Sequence, residues 1–342
     1  MVNNSKKILR GTPLHLSKSG KLNDFAYLMI NLPYICNYQC KKCFNLEDNN
    51  FHSYSNPLNL KEIFVLIDQA KDTGGQVVTL SGEGEPSLHN EIREIVEKIN
   101  SAGMINIVYS NGSILTKELI SFYAEHDTTL VISIDTLCSE LYLELTGNKD
   151  KNIFQQVLKN INQAREIYSR FIETKDGYQI VRLAFVTTVS SLNKDEIEKI
   201  KAFCGDDIYF ICNPLAKLGN AISNWDEMMR SDDDDKEIEK IIKQMSETTG
   251  PLTLGSNGLC GYSINGISVS PAGNYMTCAY TSLTDGLFGS VVNKSLREAF
   301  NYKQKQEQFF YNTNGTCPCL VRSPGFNKYL ECLKNIAPVS NN

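Results

Sequence analysis

A chain of 342 residues, 42% hydrophobic and 21% charged, holds enough apolar material for one large domain and a smaller one. Its net charge of −5, with acids and bases interspersed, excludes the basic footprint that phosphate-backbone binding requires, so no nucleic acid partner is expected. No run approaches the roughly 20 apolar residues of a membrane span, and no apolar stretch follows the basic N-terminus, so the sequence predicts a cytoplasmic protein without a membrane partner. Residues 1–24 read as a polar extension. From there to Cys212 short apolar runs alternate with amphipathic segments, and strands are expected at 26–32, 76–80, 105–109, 129–134, 179–189 and 208–211. Ile92, Ile95, Val96 and Ile99 mark one helix between them, and Phe154, Val157, Leu158 and Ile161 another, by their three- and four-residue spacing. Such continuous strands separated by helices imply a parallel sheet buried on both faces, an α/β fold of the partial (β/α)6, TIM-like barrel kind over residues 25–250. Functional groups are then expected at the C-terminal strand ends. Residues 224–246 read as exposed helices, with the acidic run 232–235 at a helix start. Residues 251–342, with short strands, Gly, Pro and Asn turns and clustered cysteines, read as a small α+β domain stapled by metal.

Eleven cysteines are many for such a protein, and their odd number argues against a complete disulfide framework and for metal ligation. Cys36, Cys40 and Cys43 follow the first strand as a C-x3-C-x2-C loop. A zinc site usually shows C-x2-C pairs and a fourth ligand. Three thiolates on one loop can instead hold three irons of a [4Fe-4S] cube and leave the fourth open.

The loop resembles the defining motif of the radical S-adenosylmethionine (SAM) superfamily, and so does its place after the first strand. That resemblance implies a [4Fe-4S] cluster on Cys36, Cys40 and Cys43 whose open iron chelates the amino and carboxylate groups of SAM. One electron then yields methionine and a 5'-deoxyadenosyl radical, which abstracts a substrate hydrogen. One position departs from the family, which usually carries an aromatic residue just before the third cysteine; here it is Lys42, and Phe44 follows Cys43. After the second strand, the segment from Ser81 to Pro86 is similar to the family's Gly-Gly-Glu-Pro segment. There Gly82 and Gly84 would let backbone approach SAM, and Glu85 would accept a hydrogen bond from its ammonium. Ser110 and Asn111 end the third strand, and Ser133 and Asp135 the fourth, each near segments that line the SAM ribose and methionine in the family. Alternation puts Ser133 and Asp135 on one side.

Toward the C-terminus, Cys260, Gly273 and Cys278 are spaced as in the opening of SPASM and twitch domains, with a hairpin-like stretch between the cysteines. The rest departs, since only Cys317, Cys319 and Cys332 remain, too few for two further clusters. The resemblance therefore implies one auxiliary [4Fe-4S] cluster on four of these five. The C-terminal cysteine spacing and the absence of C-terminal glycines are read as setting the chain apart from the molybdenum-cofactor cyclase. Cys138, Cys204 and Cys212 read as packing residues, with Cys212 and then Cys138 as candidate hydrogen donors to a substrate radical. The implied partners are a small-molecule or peptide substrate and an electron donor such as flavodoxin or ferredoxin. The position of Cys36 is expected to leave no room before it for a peptide-recognition domain of the usual size, which favours a small molecule or a directly recognised peptide over leader-dependent peptide maturation. Competing readings are a peptide maturase forming crosslinks or epimers, a non-catalytic iron-sulfur electron carrier and a zinc-stabilised adaptor.

Overall fold

The computed structural model describes residues 6–32, 36–44, 56–249, 253–254, 259–277 and 286–314. In chain order its strands are β1 (Lys6–Leu9), β2 (Tyr27–Leu32), β3 (Val77–Gly82), β4 (Ile105–Ser110), β5 (Thr128–Ser133), β6 (Glu173–Lys175), β7 (Tyr178–Val181), β8 (Leu183–Val189), β9 (Tyr209–Pro214), β10 (Thr253–Leu254), β11 (Leu259–Cys260), β12 (Gly266–Val269) and β13 (Tyr275–Met276). The main sheet runs β13-β12-β2-β3-β4-β5-β8-β9, parallel except for β13. Its six strands from β2 to β9 are the six expected from the apolar runs.

Alternation sorts each strand between two faces. Leu28, Ile30, Val78, Leu80, Phe185 and Phe210 pack with helix residues such as Ile63, Ile95, Ile120 and Ile161. Tyr27, Val77, Ile107, Val131, Ala184 and Tyr209 turn to the other face and form a separate cluster with Leu9 and Leu16. Helices therefore cover one side, and the other side is the lumen of the partial barrel. The helices begin where the sequence supplies caps: Asn59 and Glu62 close a capping box on helix Leu60–Thr73, and Thr116 caps helix Lys117–Glu125.

Three expectations change. The apolar run 179–189 is not one strand: β7 ends at Val181, and β8 begins at Leu183 in a different sheet. Arg182 sits at the break, with ion pairs to Asp127 (3.1 Å) and Glu173 (3.2 Å). Residues 224–246 are not simply a solvated cap, because helix Asp232–Thr249 lays Ile238, 3% exposed, into the core, and Lys194 binds Asp234 (2.7 Å) and Glu237 (2.6 Å).

The third change concerns the N-terminal extension, which closes the barrel. β1 pairs with β7, Leu9 and Leu16 are 2% and 3% exposed, and Arg10 binds Asp127 at 2.6 Å, beside the N-terminal end of β5. His15 lies in this plug, accepting the Gly11 N–H at 3.3 Å on Nδ1, and burial, then Arg10, lowers its pKa from 6.5 to about 4. Between those values the unfolded imidazole takes a proton that the folded one refuses, so the stability it contributes is present above pH 6.5 and lost as pH falls through about 4. Melting curves across that range are expected to drop toward acid more steeply for wild type than for His15→Asn.

At the other edge of the sheet, β12 joins β2 in parallel, Gly266 opposite Tyr27, so residues 266–269 extend the core sheet. A Cβ at Gly266 would stand 2.6 Å from the carbonyl oxygens of both Tyr27 and Tyr262, which only glycine avoids. The stretch between Cys260 and Cys278 does form a hairpin, β12 to β13, turned at Gly273 with φ 79°.

Candidate active site

The cysteine loop lies at the end of the sheet opposite the N-terminal plug, and its other residues fasten it to several elements. Asn37 donates from Nδ2 to Ser113 Oγ (2.9 Å) and accepts on Oδ1 from Asn111 Nδ2 (2.9 Å). The Tyr38 and Tyr142 hydroxyls meet at 3.0 Å. Backbone N–H groups of Gln39 and Lys41 donate to the Thr146 and Leu145 carbonyls, and Lys41 Nζ binds Glu144 (3.0 Å) and Glu227 (2.6 Å). Gly147, at φ 65°, lets Gln39 pass close by; a Cβ there would stand 2.6 Å from the Gln39 carbonyl oxygen. Asn220 holds the far end, its N–H on the Cys43 carbonyl (2.8 Å) and its Nδ2 on the Cys40 carbonyl (3.3 Å).

Cys36, Cys40 and Cys43 form no disulfide and are partly buried. Burial pushes the Cys40 thiol up, with Cys43 and Cys36 adding to the shift and Lys42 opposing it, so the three sulfurs lie within electrostatic reach. Among the described residues, no three His, Cys, Asp or Glu side chains are gathered as around a single metal ion. Three spaced thiols on one fastened loop suit a multi-iron cluster as a donor set.

The neighbouring strand ends meet this loop. Gly82, at φ 134°, allows β3 to turn against β2, where a Cβ would reach Asn31 Cα at 2.8 Å. Glu85 does not stand free for a ligand as the sequence suggested. It is 3% exposed, and its carboxylate accepts the N–H groups of Ser87 (3.2 Å) and Asn111 (2.5 Å). Burial pushes its pKa up against these bonds and the Ser110 hydroxyl. Ser110 is buried too, its Oγ accepting the Gly112 N–H. Gly84 is partly exposed beside them. Ser133 and Asp135 share one side, because Lys42 Nζ reaches Ser133 Oγ at 3.0 Å and Asp135 Oδ1 at 2.8 Å. A cleft lined by Tyr38, Cys40, Lys42, Asn111, Ser133 and Asp135 opens here.

The candidate hydrogen donors are placed elsewhere. Cys212 pairs in register with Thr187 on β8, on the face of Phe185 and Phe210 that packs against helices, and burial pushes its thiol up to about 12. Cys138 is exposed at the start of helix Ser139–Thr146, bonded to Glu140. Cys260 lies on β11, opposite Thr253, while Cys278, Cys317, Cys319 and Cys332 fall outside the described residues.

Sequence reasoning passed over Asn37, Tyr38, Lys41 and Tyr142, which carry no chemistry of their own. Only their place within or beside the loop signalled them.

The profile of the radical SAM superfamily matches residues 30–200, half of the 342-residue chain, spanning the cysteine loop and β3 to β8. The chain is similar to a GTP 3',8-cyclase of Limosilactobacillus fermentum, 26% identical over 274 residues, 79% of this chain and 72% of the relative. Among solved structures it is similar to native anSMEcpe with bound AdoMet, with TM-score 0.61 at 14% identity over 91% of this chain and 100% of that one. Streptococcus suis SuiB bound to precursor peptide SuiA gives 0.58 at 17% identity, over 84% and 67%. These two likenesses are of fold. With the profile covering the strands and the loop whose geometry is described above, the chain belongs to the radical SAM superfamily and is a radical SAM enzyme.

Proposed function

We propose that this enzyme cleaves SAM at a [4Fe-4S] cluster held by Cys36, Cys40 and Cys43 and abstracts hydrogen from a small uncharged substrate bearing hydroxyl or amide groups. Bound there and reduced, the cluster supplies the electron that splits SAM into methionine and the 5'-deoxyadenosyl radical. The observation that carries the reading is the meeting of the cysteine loop with the C-terminal ends of β4 and β5, to which Glu85 ties the turn after β3.

In this reading Gly82 and Gly84 bring backbone to the methionine end of SAM, and Asn111, Ser133 and Asp135 face its ribose. Glu85 and Ser110 act behind them, shaping the turns that Asn111 leaves from. The lumen excludes bulk water on its plugged side through Leu9 and Leu16, so a radical formed at the open end meets substrate rather than solvent.

The lumen wall supports the choice of substrate. Ser81, Tyr109, Ser133, Val186, Thr188 and Asn213 are partly exposed on the lumen side of their strands. No lumen-facing residue of the described main-sheet strands is Lys or Arg. GTP, which the cyclase relative is named for, carries a triphosphate that such a wall does not neutralise. Four of Cys260, Cys278, Cys317, Cys319 and Cys332 would hold one auxiliary [4Fe-4S] cluster, and a flavodoxin or ferredoxin would supply electrons.

Anaerobic reconstitution and reduction with SAM present is expected to yield 5'-deoxyadenosine, measured by mass spectrometry, and a Cys36/Cys40/Cys43→Ala variant to yield none. A wild type that takes up its full iron complement and forms no 5'-deoxyadenosine would turn the reading toward electron transfer.

A further inference from the structure

The departure at Lys42 has a structural counterpart. Its ammonium leaves the cysteine loop and engages both oxygens of Asp135, Oδ1 at 2.8 Å and Oδ2 at 2.6 Å, together with Ser133 Oγ at 3.0 Å. The two charged side chains are 17% and 10% exposed. Asp135 is itself fixed from behind: its Oδ1 accepts the Thr188 N–H at 2.8 Å, and its carbonyl accepts from Asn193 Nδ2 at 2.9 Å. Lys42 thus joins the loop that carries the thiols to the junction of β5 and β8.

We infer that Lys42 is a positioning residue for SAM, acting through Asp135 and Ser133; this rests on the reading that SAM binds at this mouth. A partly buried carboxylate gripped on both oxygens by one cation has a fixed orientation, and its charge is balanced at short range. Without the ammonium, Asp135 keeps one backbone donor and an uncompensated charge in a cleft where water is partly excluded. It then turns toward solvent and carries Ser133 and the strand end with it. An aromatic side chain at position 42 could fill the space but could not hold the carboxylate.

The test compares reconstituted wild type, Lys42→Phe, Lys42→Met, Lys42→Arg, Asp135→Asn and the Lys42→Phe/Asp135→Asn double variant. Iron content, the melting curve and the SAM dissociation constant by equilibrium dialysis are measured for each. Iron content is expected to stay at the wild-type level throughout. Lys42→Phe and Lys42→Met are expected to weaken SAM binding about tenfold or more, while Lys42→Arg, which keeps the ion pair, stays near wild type. In the Asp135→Asn background Lys42→Phe is expected to cost little more, since the two side chains act as one unit. Methionine, close to lysine in length, serves where phenylalanine disturbs the loop. Wild-type affinity in both Lys42→Phe and Lys42→Met would overturn the inference, as would an undiminished loss in the Asp135→Asn background. A wild-type enzyme that loads iron but binds no SAM would overturn the reading of the mouth itself, and the role of Lys42 with it.

Discussion

Cys40→Ala, reconstituted with iron and sulfide under anaerobic conditions, is expected to lose the electron paramagnetic resonance signal of the reduced N-terminal cluster and to form no 5'-deoxyadenosine above background. The reason is local. Cys40 contributes the middle thiol of the loop, while its carbonyl oxygen accepts the Cys43 N–H (3.1 Å) and the Asn220 amide (3.3 Å). Alanine keeps both backbone bonds, and the loop remains fastened at Asn37, Tyr38 and Lys41, so the loss isolates the thiol from the fold. Two thiols cannot hold a cluster that already leaves one iron without a protein ligand. Cys212→Ala supplies the contrast. Its thiol faces the helices with Phe210, and turnover at the wild-type level is expected. Circular dichroism close to wild type for both proteins, with the N-terminal cluster's signal and 5'-deoxyadenosine lost only in the first, is the pattern that separates ligand from packing residue. Full 5'-deoxyadenosine formation by Cys40→Ala would remove this loop from the chemistry.

What could be read from the chain before folding follows the range of the interactions involved. The cysteine loop is legible because its ligands lie within one short segment, and the main strands because an apolar run buried on both faces needs no partner to be recognised. The run 179–189 misled for the same reason. Its apolar character continues across Arg182, and only the distant carboxylates Asp127 and Glu173 decide that the strand breaks there. Leu9 and Leu16 are unremarkable in a polar segment until the lumen cluster exists to receive them. The side that Cys212 faces depends on its register with Thr187, a pairing across strands that spacing alone does not contain. Glu85 was legible as a special residue and illegible in its partners, because the Asn111 N–H that it binds belongs to the next strand end.

Glu85→Ala removes the acceptor for the Ser87 and Asn111 N–H groups, at 3.2 Å and 2.5 Å, from a position only 3% exposed. A buried donor left without a partner costs about 1–3 kcal/mol, so losing the acceptor of the buried Ser87 N–H and the partly buried Asn111 N–H predicts a loss of about 2–6 kcal/mol in urea unfolding. The consequence spreads along a chain of bonds. Asn111 holds Asn37 through its side-chain amide and Ser113 through its Oδ1, and Asn37 in turn holds the cysteine loop to the end of β4. Releasing the Asn111 backbone therefore loosens the loop as well as the turn, and SAM affinity is expected to fall with stability. Glu85→Gln keeps one carbonyl oxygen and sets its amide against an N–H, so its loss should be smaller in both measurements. A direct contact between Glu85 and the SAM ammonium makes a different prediction: SAM binding would collapse in both variants while unfolding stayed close to wild type. Parallel losses in stability and affinity, graded from glutamine to alanine, would assign Glu85 to shaping the site from behind; affinity lost alone would return it to the ligand.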